Sequence, residues 1–324
     1  IKKAVDLGFV DYTTLAQRHF FCTEELRLNR RLAPQLYLEV VAITGTPAAP
    51  QWGGDGTPIE WAVKMVEFDQ RSLLAPQLAA GKLRAKHVAA LATKLAAFHE
   101  AAPRAEAAAA YGTPATILAA VEANFAHFPP AATNAESLAA LHAWSRAEYR
   151  RQRKTFAQRK AAGFVRECHG DLHLGNLLLS GGEPLAFDGI EFNPGLRWID
   201  VISDLAFLVM DLAVHGRADH AWLLLNGWLE ETGDHAGLAL LTFYQAYRAM
   251  VRAKVAHLQA ACAGIPALER DAALASAATY LAYARSLTAP QARALLITHG
   301  LSGTGKTTLA RTIAAALPAV CLRS

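Results

Sequence analysis

Two patterns of hydrophobic and polar positions divide the chain into unequal parts. In the first part, short apolar runs predict strands over residues 36–43 and 59–68, separated by a Gly/Pro-rich turn region over 44–58. A helix precedes these strands: Thr23 can act as its N-cap, acidic residues follow, and Pro34 closes it. This part predicts a small α+β unit.

After residue 72 the pattern becomes helical. Alanine-rich stretches with apolar positions three and four residues apart predict amphipathic helices, which are interrupted by prolines that include Pro129 and Pro130. The predicted helices cover residues 84–101, 116–127, 135–160, 219–231, 238–262 and 267–287. The chain should therefore contain a large helical unit after the small mixed one.

Composition narrows the class of protein. With 324 residues and 53% hydrophobic side chains, the chain has enough apolar material for a globular core. A net charge of +4 gives no indication of a nucleic-acid or membrane-surface partner, and no apolar run approaches the roughly 18 residues of a membrane span. The four cysteines have neither metal-ligand nor disulfide spacing, and no signal peptide opens the chain, so we expect a cytoplasmic protein.

The candidate chemistry lies in residues 169–176 and the stretch that follows them. Asp171 and Asn176 stand five residues apart, and a predicted hairpin with a glycine turn should fold Asp188 back beside Asn176. Phosphoryl transfer needs an acid that faces the acceptor hydroxyl and oxygen ligands that hold Mg²⁺. Asp171 suits the first task, and the side-chain oxygens of Asn176 and Asp188 suit the second. The alternative is that Asp171 and Asn176 are only turn formers.

These residues resemble a known family. Residues 169–176 look like the catalytic loop of aminoglycoside phosphotransferases and choline-kinase-like enzymes, and residues 187–191 look like their metal-binding segment. The resemblance implies an α+β, two-lobed protein-kinase-like fold with a large helical C-lobe, and it implies ATP and Mg²⁺ as cofactors. Asp171 would then be the catalytic base or the acid that orients the hydroxyl, and Asn176 and Asp188 would bind Mg²⁺.

The resemblance also concerns the nucleotide end of the site, where such enzymes pair an ATP lysine with a glutamate of the following helix. Lys2, Lys3 or a residue upstream could be that lysine, and alternation along a strand favours Lys2. Glu25 is the candidate partner, although Glu24 and Glu25 could equally be surface acids at a helix start. Because the chain opens at Ile1 without the expected strands, we expect part of the N-lobe to be missing.

Other polar residues have open or supporting assignments. His173 is expected to brace the loop, while Glu191 lies either beside the metal or in solvent. Asp200 and Asp204 should stand one turn apart on a helix, and the resemblance implies that Asp204 anchors the catalytic loop. Four residues either face an acceptor pocket or occupy ordinary helix positions: Tyr244, Tyr247, Arg248 and Arg252.

The last stretch carries a second motif. Residues 293–298 predict a buried strand, and a glycine-rich loop and a helix beginning near Lys306 follow, as in a P-loop. Backbone amides would cradle phosphates, Lys306 would reach the terminal phosphates, and Thr307 would offer its hydroxyl to Mg²⁺. The candidate nucleotide-binding residues here are Gly300, Gly303, Gly305, Lys306, Thr307 and Thr308. Because only about 25 residues follow Gly300, we expect a truncated domain that is inactive alone.

The order of the two motifs resembles bacterial bifunctional proteins in which an aminoglycoside phosphotransferase-like domain is fused to a P-loop ATP-binding kinase domain. Residues 6–9, 25–34 and 197–200 strengthen this resemblance. The predicted domains are a partial N-lobe (1–70), a helical C-lobe with the catalytic loop (71–290) and the start of a truncated P-loop kinase domain (291–324).

The predicted function is an ATP- and Mg²⁺-dependent transfer of the γ-phosphoryl group to a hydroxyl of a small molecule. Its partners would be a nucleotide and a small-molecule acceptor, without nucleic acid or membrane. The alternative is a catalytically silent nucleotide-binding module that regulates the fused P-loop kinase.

Overall fold

The computed structural model describes residues 1–6, 8, 10–128, 135–289, 294–317 and 319–322. Some predicted features fall outside these ranges: Leu7 and Phe9, the helix-breaking Pro129 and Pro130, Arg293 and the boundary at 290–291 between two predicted domains.

The secondary structure is mixed, and helices dominate it. The strands are β1 (Tyr37–Thr46), β2 (Ala49–Trp52), β3 (Glu60–Met65), β4 (Val165–Glu167), β5 (Leu177–Ser180), β6 (Glu183–Ala186) and β7 (Trp198–Asp200). The helices are α1 (Leu15–Asn29), α2 (Leu74–Ala79), α3 (Ala85–Ala101), α4 (Pro114–Phe125), α5 (Ala135–Ala161), α6 (Pro194–Arg197), α7 (Val201–Val214), α8 (Ala218–Thr232), α9 (Leu238–Ala260), α10 (Ala267–Ser286) and α11 (Lys306–Ala316).

The N-terminal unit consists of α1 and a three-stranded antiparallel sheet in the order β2-β1-β3. Val40 lies opposite Val63, and Thr44 lies opposite Gln51. The predicted turn region, 44–58, was therefore wrong, because it contains the end of β1 and all of β2. All four residues of β2 are exposed, so this strand has no buried face that could produce an alternating hydrophobic pattern.

Helix α1 begins well before the predicted start at Thr23. Thr14 is the N-cap: its hydroxyl accepts from the Gln17 amide (3.2 Å), and the Gln17 side chain accepts from the Thr14 amide (3.1 Å). Thr23 lies inside the helix, where its hydroxyl donates to the carbonyl of His19. The two glutamates after Thr23 are therefore not acids of a first helical turn.

The helical unit surrounds α7, most of whose residues are buried. Helices α3, α8 and α9 supply much of the remaining core, and the six predicted helices all form with shifts of a few residues at their ends. The prediction that Asp200 lies inside a helix was wrong. Asp200 is the N-cap of α7, where its side chain accepts a hydrogen bond from the Ile202 amide (3.0 Å). Within the described ranges, no helix is both long and apolar enough to cross a membrane.

The predicted hairpin is confirmed. β5 and β6 pair antiparallel with Leu177 opposite Ala186, and Gly181 and Gly182 form the turn with positive φ angles of 59° and 88°. Beyond the hairpin, the Phe187 amide donates to the Asn176 carbonyl (3.0 Å). The next residue along, Asp188, is thereby directed back toward the catalytic loop.

The C-terminal segment differs from its prediction. Residues 294–298 form no strand, and the side chains of Leu295 and Ile297 are 78% and 80% exposed. A strand needs a neighbouring strand, and the described residues around this segment supply none. Further on, α11 packs on α8, where Arg311 pairs with Glu230 (2.5 Å).

Candidate active site

The backbone of the catalytic loop is held by a buried carboxylate. Asp204 of α7 is fully buried, and it accepts hydrogen bonds from the amides of His169 (3.1 Å) and Gly170 (2.9 Å). It therefore anchors the loop, as the resemblance implied. The pKa of Asp204 is about 2: burial acts to raise it, but the hydrogen bond from His99 and the charge of Arg248 act to lower it.

His99 completes this anchor. The indole of Trp228 donates to its Nδ1 (3.0 Å), so its Nε2 carries the proton and faces Asp204 at 3.2 Å. Cys168 lies close enough that the three side chains could be taken for a buried metal site. We interpret them as structural, because the hydrogen bonds of His99 and Asp204 already account for their polar atoms.

Two further groups fix the loop from other sides. Arg248 of α9 donates from Nη1 to the Gly170 carbonyl (3.0 Å), and Asp211 of α7 accepts from the Leu174 amide (2.8 Å). The ring of His169 donates to the Phe187 carbonyl (2.9 Å), which ties the loop to the segment that carries Asp188. The loop is thus held by residues 18 to 78 positions away in sequence.

Asp171 and Asn176 are bonded to each other. The Asn176 side-chain nitrogen donates to the Asp171 carboxylate (2.9 Å) and to its carbonyl (3.0 Å). This orientation assigns the nitrogen to Asp171 and leaves the amide oxygen, the atom that can bind a cation, outside this pair. His173 accepts from the Gly175 amide (3.0 Å), and its Nε2 lies 3.4 Å from the Asp171 carboxylate, so it braces the loop as predicted.

The charge state of Asp171 follows from these neighbours. Burial favours the neutral acid, but the hydrogen bond and charge of His173, with the charges of His169 and Arg252, lower the pKa of Asp171 to about 2. Asp171 is therefore ionised at neutral pH. A carboxylate with so low a pKa orients a hydroxyl well but accepts its proton poorly.

Asp188 has an unusual backbone. Its φ angle of 62° is positive, and no other non-glycine residue in the described ranges has this conformation. Such a conformation costs energy and persists only where surrounding contacts impose it. Here the amide of Asp188 donates to the Tyr37 hydroxyl (3.1 Å), and the amide of Gly189 donates to the Asn29 side chain (2.7 Å).

The surroundings of Asp188 suit a cation. Burial raises the pKa of Asp188 to about 6, and the negative charges of Glu25, Glu191 and Asp171 add to the effect. The donor set fits Mg²⁺, since the Asp188 carboxylate and the Asn176 amide oxygen are hard oxygen ligands and a bound cation would offset the mutual repulsion of the acids. The β5–β6 hairpin brings the two segments together, because the Phe187 amide beside Asp188 donates to the Asn176 carbonyl.

Lys2 occupies the position opposite these acids. Its ammonium contacts Glu25 (2.8 Å) and Glu191 (2.5 Å), and the Tyr12 hydroxyl donates a hydrogen bond to the same Glu191 carboxylate (3.0 Å). The structure thus places Lys2, rather than the exposed Lys3, beside Glu25. The reason given for favouring Lys2 was wrong, because no strand forms over the described residues before α1. The expected ion pair between Lys2 and Glu25 is nevertheless present. Glu191 is buried in this cluster and is not a solvated acid.

Sequence reasoning missed a cluster of ions behind the site, which we call the Glu167 cluster: Glu167, Arg27, Arg31 and Arg197. Both carboxylate oxygens of Glu167 accept from Arg27 (3.0 and 2.8 Å), and one also accepts from Arg197 (3.1 Å). Arg31 donates to the Glu167 carbonyl (2.7 Å). Although burial acts to raise it, the pKa of Glu167 is about 2 because the arginines stabilise its charge.

The Glu167 cluster connects both sides of the lysine pair. Arg27 lies in the last turn of α1, the helix of Glu25, and Arg31 follows the end of that helix, while Arg197 also donates to the backbone carbonyl of Glu191 (3.0 Å). Glu25 and Glu191 are therefore fastened to each other through Glu167 as well as through Lys2. The only sequence signal for this cluster was the density of charges in residues 25–34.

The four helix residues with open assignments divide into two groups. Tyr244, Tyr247 and Arg248 line a cavity beside the loop. Arg252 does not line it; its Nη1 lies 3.2 Å from Nε2 of His173, behind Asp171.

The glycine-rich loop has part of the predicted local conformation. Gly303 and Gly305 have φ angles of 83° and 79°, and α11 begins at Lys306 directly after Gly305. The Lys306 ammonium donates to the carbonyls of Gly300 (2.7 Å) and Leu301 (2.5 Å), so the side chain folds over its own loop. Thr307 and Thr308 lie in the first turn of α11, and Thr308 is exposed.

Comparison with known proteins assigns the fold. No family model matches the sequence. Uncharacterized proteins of Mycobacterium tuberculosis and Mycobacterium bovis are 32% identical over 316 residues, which cover 97% of this chain and 61% of each relative, so the chain spans about three fifths of the curated relatives it matches.

Among solved structures, the amicoumacin kinase hAmiN in complex with AMP-PNP, Ca²⁺ and Ami aligns with a TM-score of 0.50 and 14% identity, over 82% of this chain and 78% of its own. A choline/ethanolamine kinase family protein from Mesorhizobium loti aligns with a TM-score of 0.45 and 15% identity, over 82% and 84%. The chain has a kinase-like fold, and its structural neighbours are small-molecule kinases.

Proposed function

We propose that the chain is an ATP- and Mg²⁺-dependent phosphotransferase that moves the γ-phosphoryl group to a hydroxyl of a small molecule. One observation carries the proposal: Asp171 and Asp188 share a site but differ in environment. Asp171 is bonded to Asn176 and stays ionised, with a pKa of about 2, whereas Asp188 has a pKa of about 6 beside three other acids. Such a separation supports two roles for the two carboxylates.

Each residue then has a defined task. Asp171 receives the acceptor hydroxyl and orients it, and its low pKa favours orientation over early removal of the proton. Asn176 and Asp188 would hold Mg²⁺, which when bound would neutralise the negative charge that develops during phosphoryl transfer. Lys2, held by Glu25, binds phosphate oxygens of the nucleotide.

The contacts behind the site support this assignment. Phosphoryl transfer depends on positioning more than on covalent chemistry, so the acting groups must be held rigidly. Asp204 and Arg248 hold the loop that carries Asp171, and the Glu167 cluster holds the helix that carries Glu25.

The glycine-rich segment is proposed as the beginning of a second, P-loop ATP-binding domain. Gly300, Gly303 and Gly305 shape the loop, Lys306 would contact terminal phosphates, and Thr307 and Thr308 would contribute hydroxyls to the nucleotide and its Mg²⁺. An alternative function for the whole chain is a catalytically silent nucleotide-binding module that regulates this kinase. The contact between α11 and α8 favours communication between the two parts.

The test uses the full chain with Lys306→Ala, which removes the P-loop lysine, and follows Mg²⁺-dependent ATP consumption with a panel of hydroxylated metabolites and aminoglycosides. We expect one acceptor to stimulate turnover and Asp171→Ala to lower it by at least about 100-fold. Asp219→Asn, which alters a half-exposed carboxylate paired with Arg217, is the matched control and should leave turnover unchanged. ATP binding without turnover on any acceptor would contradict the proposal and support the regulatory module.

A further inference from the structure

A cavity beside the catalytic loop has no assigned ligand. It lies between α4, the segment from α6 to the start of α7, and α9, and it has a cavity volume of about 70 Å³ and opens to solvent. This is smaller than the roughly 300–1,000 Å³ of drug-sized ligand sites, so the cavity can take at most one ring of a ligand whose remainder lies outside it. We call it the tyrosine cavity; its polar and aromatic lining residues are Thr116, Trp198, Asp200, Ser203, Tyr244, Tyr247 and Arg248.

Two hydroxyls of the cavity wall lack partners inside the protein. Tyr244 is only 4% exposed, yet neither its hydroxyl nor that of Tyr247 makes a hydrogen bond to any residue in the described ranges. Neither hydroxyl oxygen is among the fully buried unpaired atoms of the described residues, so both are accessible from the solvent-open cavity. By contrast, the buried Tyr280 donates to Asp211 (2.6 Å). The two free hydroxyls are therefore donors available to a molecule in the cavity.

The charges around the cavity exclude one class of molecule. Among the described residues that line it, Asp200 is the one carboxylate, and it is bound by two nitrogens of the buried Arg159 (2.7 and 2.8 Å). The one cation among these lining residues, Arg248, is bound by neutral acceptors: the carbonyls of Gly170 and Ser203 and the Ser203 hydroxyl. A polycation would thus find no free carboxylate on the wall, whereas an uncharged or anionic molecule meets a positive charge.

The walls also favour a ring. Trp198 and the two tyrosines contribute aromatic surface, and aromatic side chains bind flat molecules through burial and stacking. Arg248 joins the cavity to the reacting loop, because the carbonyl it binds belongs to Gly170, the neighbour of Asp171. A molecule held in the cavity is therefore separated from the loop that carries the catalytic carboxylate by the Arg248 side chain, since residues 169–176 do not themselves line the cavity.

We propose that the tyrosine cavity binds the ring system of the phosphoryl acceptor, and that this acceptor is an uncharged or anionic hydroxyl compound with an aromatic ring rather than a polyamine sugar. This inference rests on the proposed phosphotransferase function, which it deepens by naming the class of acceptor. Tyr244 and Tyr247 donate hydrogen bonds to oxygen acceptors of the ligand, and Arg248 attracts a carboxylate or a polarised oxygen.

Binding is tested without turnover, by ligand-detected NMR on the full chain in the absence of ATP. The aromatic probes are phenyl β-D-glucoside and 4-hydroxybenzoate, and the cationic probes are kanamycin and glucosamine. We expect at least one aromatic probe to bind and the double variant Tyr244→Phe/Tyr247→Phe to weaken it about tenfold or more, while the cationic probes bind more weakly. Tighter binding of the cationic probes, no binding of either aromatic probe, or aromatic binding unchanged by the double variant would overturn the proposal.

A stability readout separates a lost ligand donor from a damaged fold. Removing unpartnered hydroxyls should leave the Tm of the double variant unchanged or higher, since no hydrogen bond is lost. The control Tyr283→Phe removes a hydroxyl that accepts from Gln245 (3.0 Å) outside the cavity, and it should lower the Tm without changing probe binding. A marked fall in the Tm of the double variant would show that the hydroxyls are structural and would contradict the proposal.

Two outcomes separate this inference from the proposed function. Aromatic probes that bind, and lose affinity in the double variant, while no acceptor supports ATP turnover would retain the cavity and reject the phosphotransferase. Turnover with a polyamine sugar, abolished by Asp171→Ala but unaffected by the tyrosine substitutions, would retain the phosphotransferase and reject the cavity as the acceptor site.

Discussion

The catalytic loop at residues 169–176 and the glycine-rich loop at 300–308 both follow patterns known to bind nucleotide phosphates or metals, but the rest of the protein holds them very differently. Asp204, Asp211 and Arg248 bind the backbone of the first loop from distant helices. In the second loop, the bonds of the Lys306 ammonium to described residues are to carbonyls of its own loop, and residues 294–305 are exposed.

A short sequence motif is therefore enough to set the local backbone conformation, but a rigidly held active-site loop also needs contacts from residues far away in sequence. Gly303 and Gly305 produce their turn from their own conformational freedom. Asp171 could not keep its orientation in that way, because the groups that fix it come from α7 and α9. Four substitutions or conditions sharpen the comparison, and their expected effects decrease in order.

The largest effect is expected for Asp204→Asn in the catalytic-loop anchor. The amide would place a donor against the N–H groups of His169 and Gly170, so we expect a loss of about 3–5 kcal/mol in the free energy of unfolding. Denaturant unfolding measures this. A loss below about 1 kcal/mol would contradict the role of Asp204 as the anchor; Asp219→Asn, in a surface pair, is the control.

The next effect concerns Glu167→Gln, which removes the charge shared by three arginines. We expect a loss of about 2–3 kcal/mol in stability and faster amide hydrogen exchange in α1, with exchange in α9 unchanged. Glu100→Gln is the control, since Glu100 pairs with Arg166 but its side chain is 73% exposed. Unchanged exchange in α1 would reject the Glu167 cluster as the fastening of that helix.

A smaller, pH-dependent effect is expected at Asp188. Its pKa of about 6 lies above the ordinary value, so the carboxylate is mostly protonated at pH 5 and ionised at pH 7, and Mg²⁺ affinity should be about tenfold higher at pH 7. Without bound metal, the free energy of unfolding should instead fall as the pH rises through 6. The raised pKa means that the folded state favours the protonated Asp188, so ionising it destabilises the fold. Titration calorimetry at both pH values measures the affinity.

The control for this prediction is Asp188→Asn, which should bind Mg²⁺ weakly at both pH values and lose the pH dependence. Asp171, with a pKa of about 2, does not titrate in this interval and cannot produce the effect. Equal Mg²⁺ affinity of the unmodified chain at pH 5 and pH 7 would exclude Asp188 as a titrating ligand.

The smallest effect is expected where α11 meets α8. Arg311 and Glu230 form an exposed ion pair, so Arg311→Ala should lower stability by less than about 1 kcal/mol and leave the other three effects intact. Thermal unfolding of the full chain checks this. A loss as large as that of Asp204→Asn would mean that the P-loop segment is as firmly held as the catalytic loop, and the comparison would fail.

Some features of the site could be predicted from local sequence. The hairpin from Leu177 to Ala186 follows from apolar runs around two glycines, and it places Asp188 as expected. The start of α1 could also have been found, because Thr14 and Gln17 form a capping box; Thr23 was chosen instead because acids follow it. The exposed β2 left no alternating pattern to detect.

Other features could not be predicted. The Glu167 carboxylate accepts a hydrogen bond from Arg27, which lies 140 residues away in sequence, so no sequence spacing predicts this contact. Lys2 was favoured by an argument about a strand that does not form, and its pairing with Glu25 depends on how α1 packs against residue 191. The free hydroxyls of Tyr244 and Tyr247 were indistinguishable from ordinary helix positions until the cavity was seen.

The helices of the large unit, the hairpin and the residue types of the candidate chemistry follow from the amino-acid sequence, since caps, turns and periodicity depend on residues within a few positions. The pairing of charges, the opposite pKa shifts of Asp171 and Asp188, and the cavity wall without a free carboxylate arise from the three-dimensional packing. The physical reason is that burial and charge depend on neighbours brought together from distant parts of the chain.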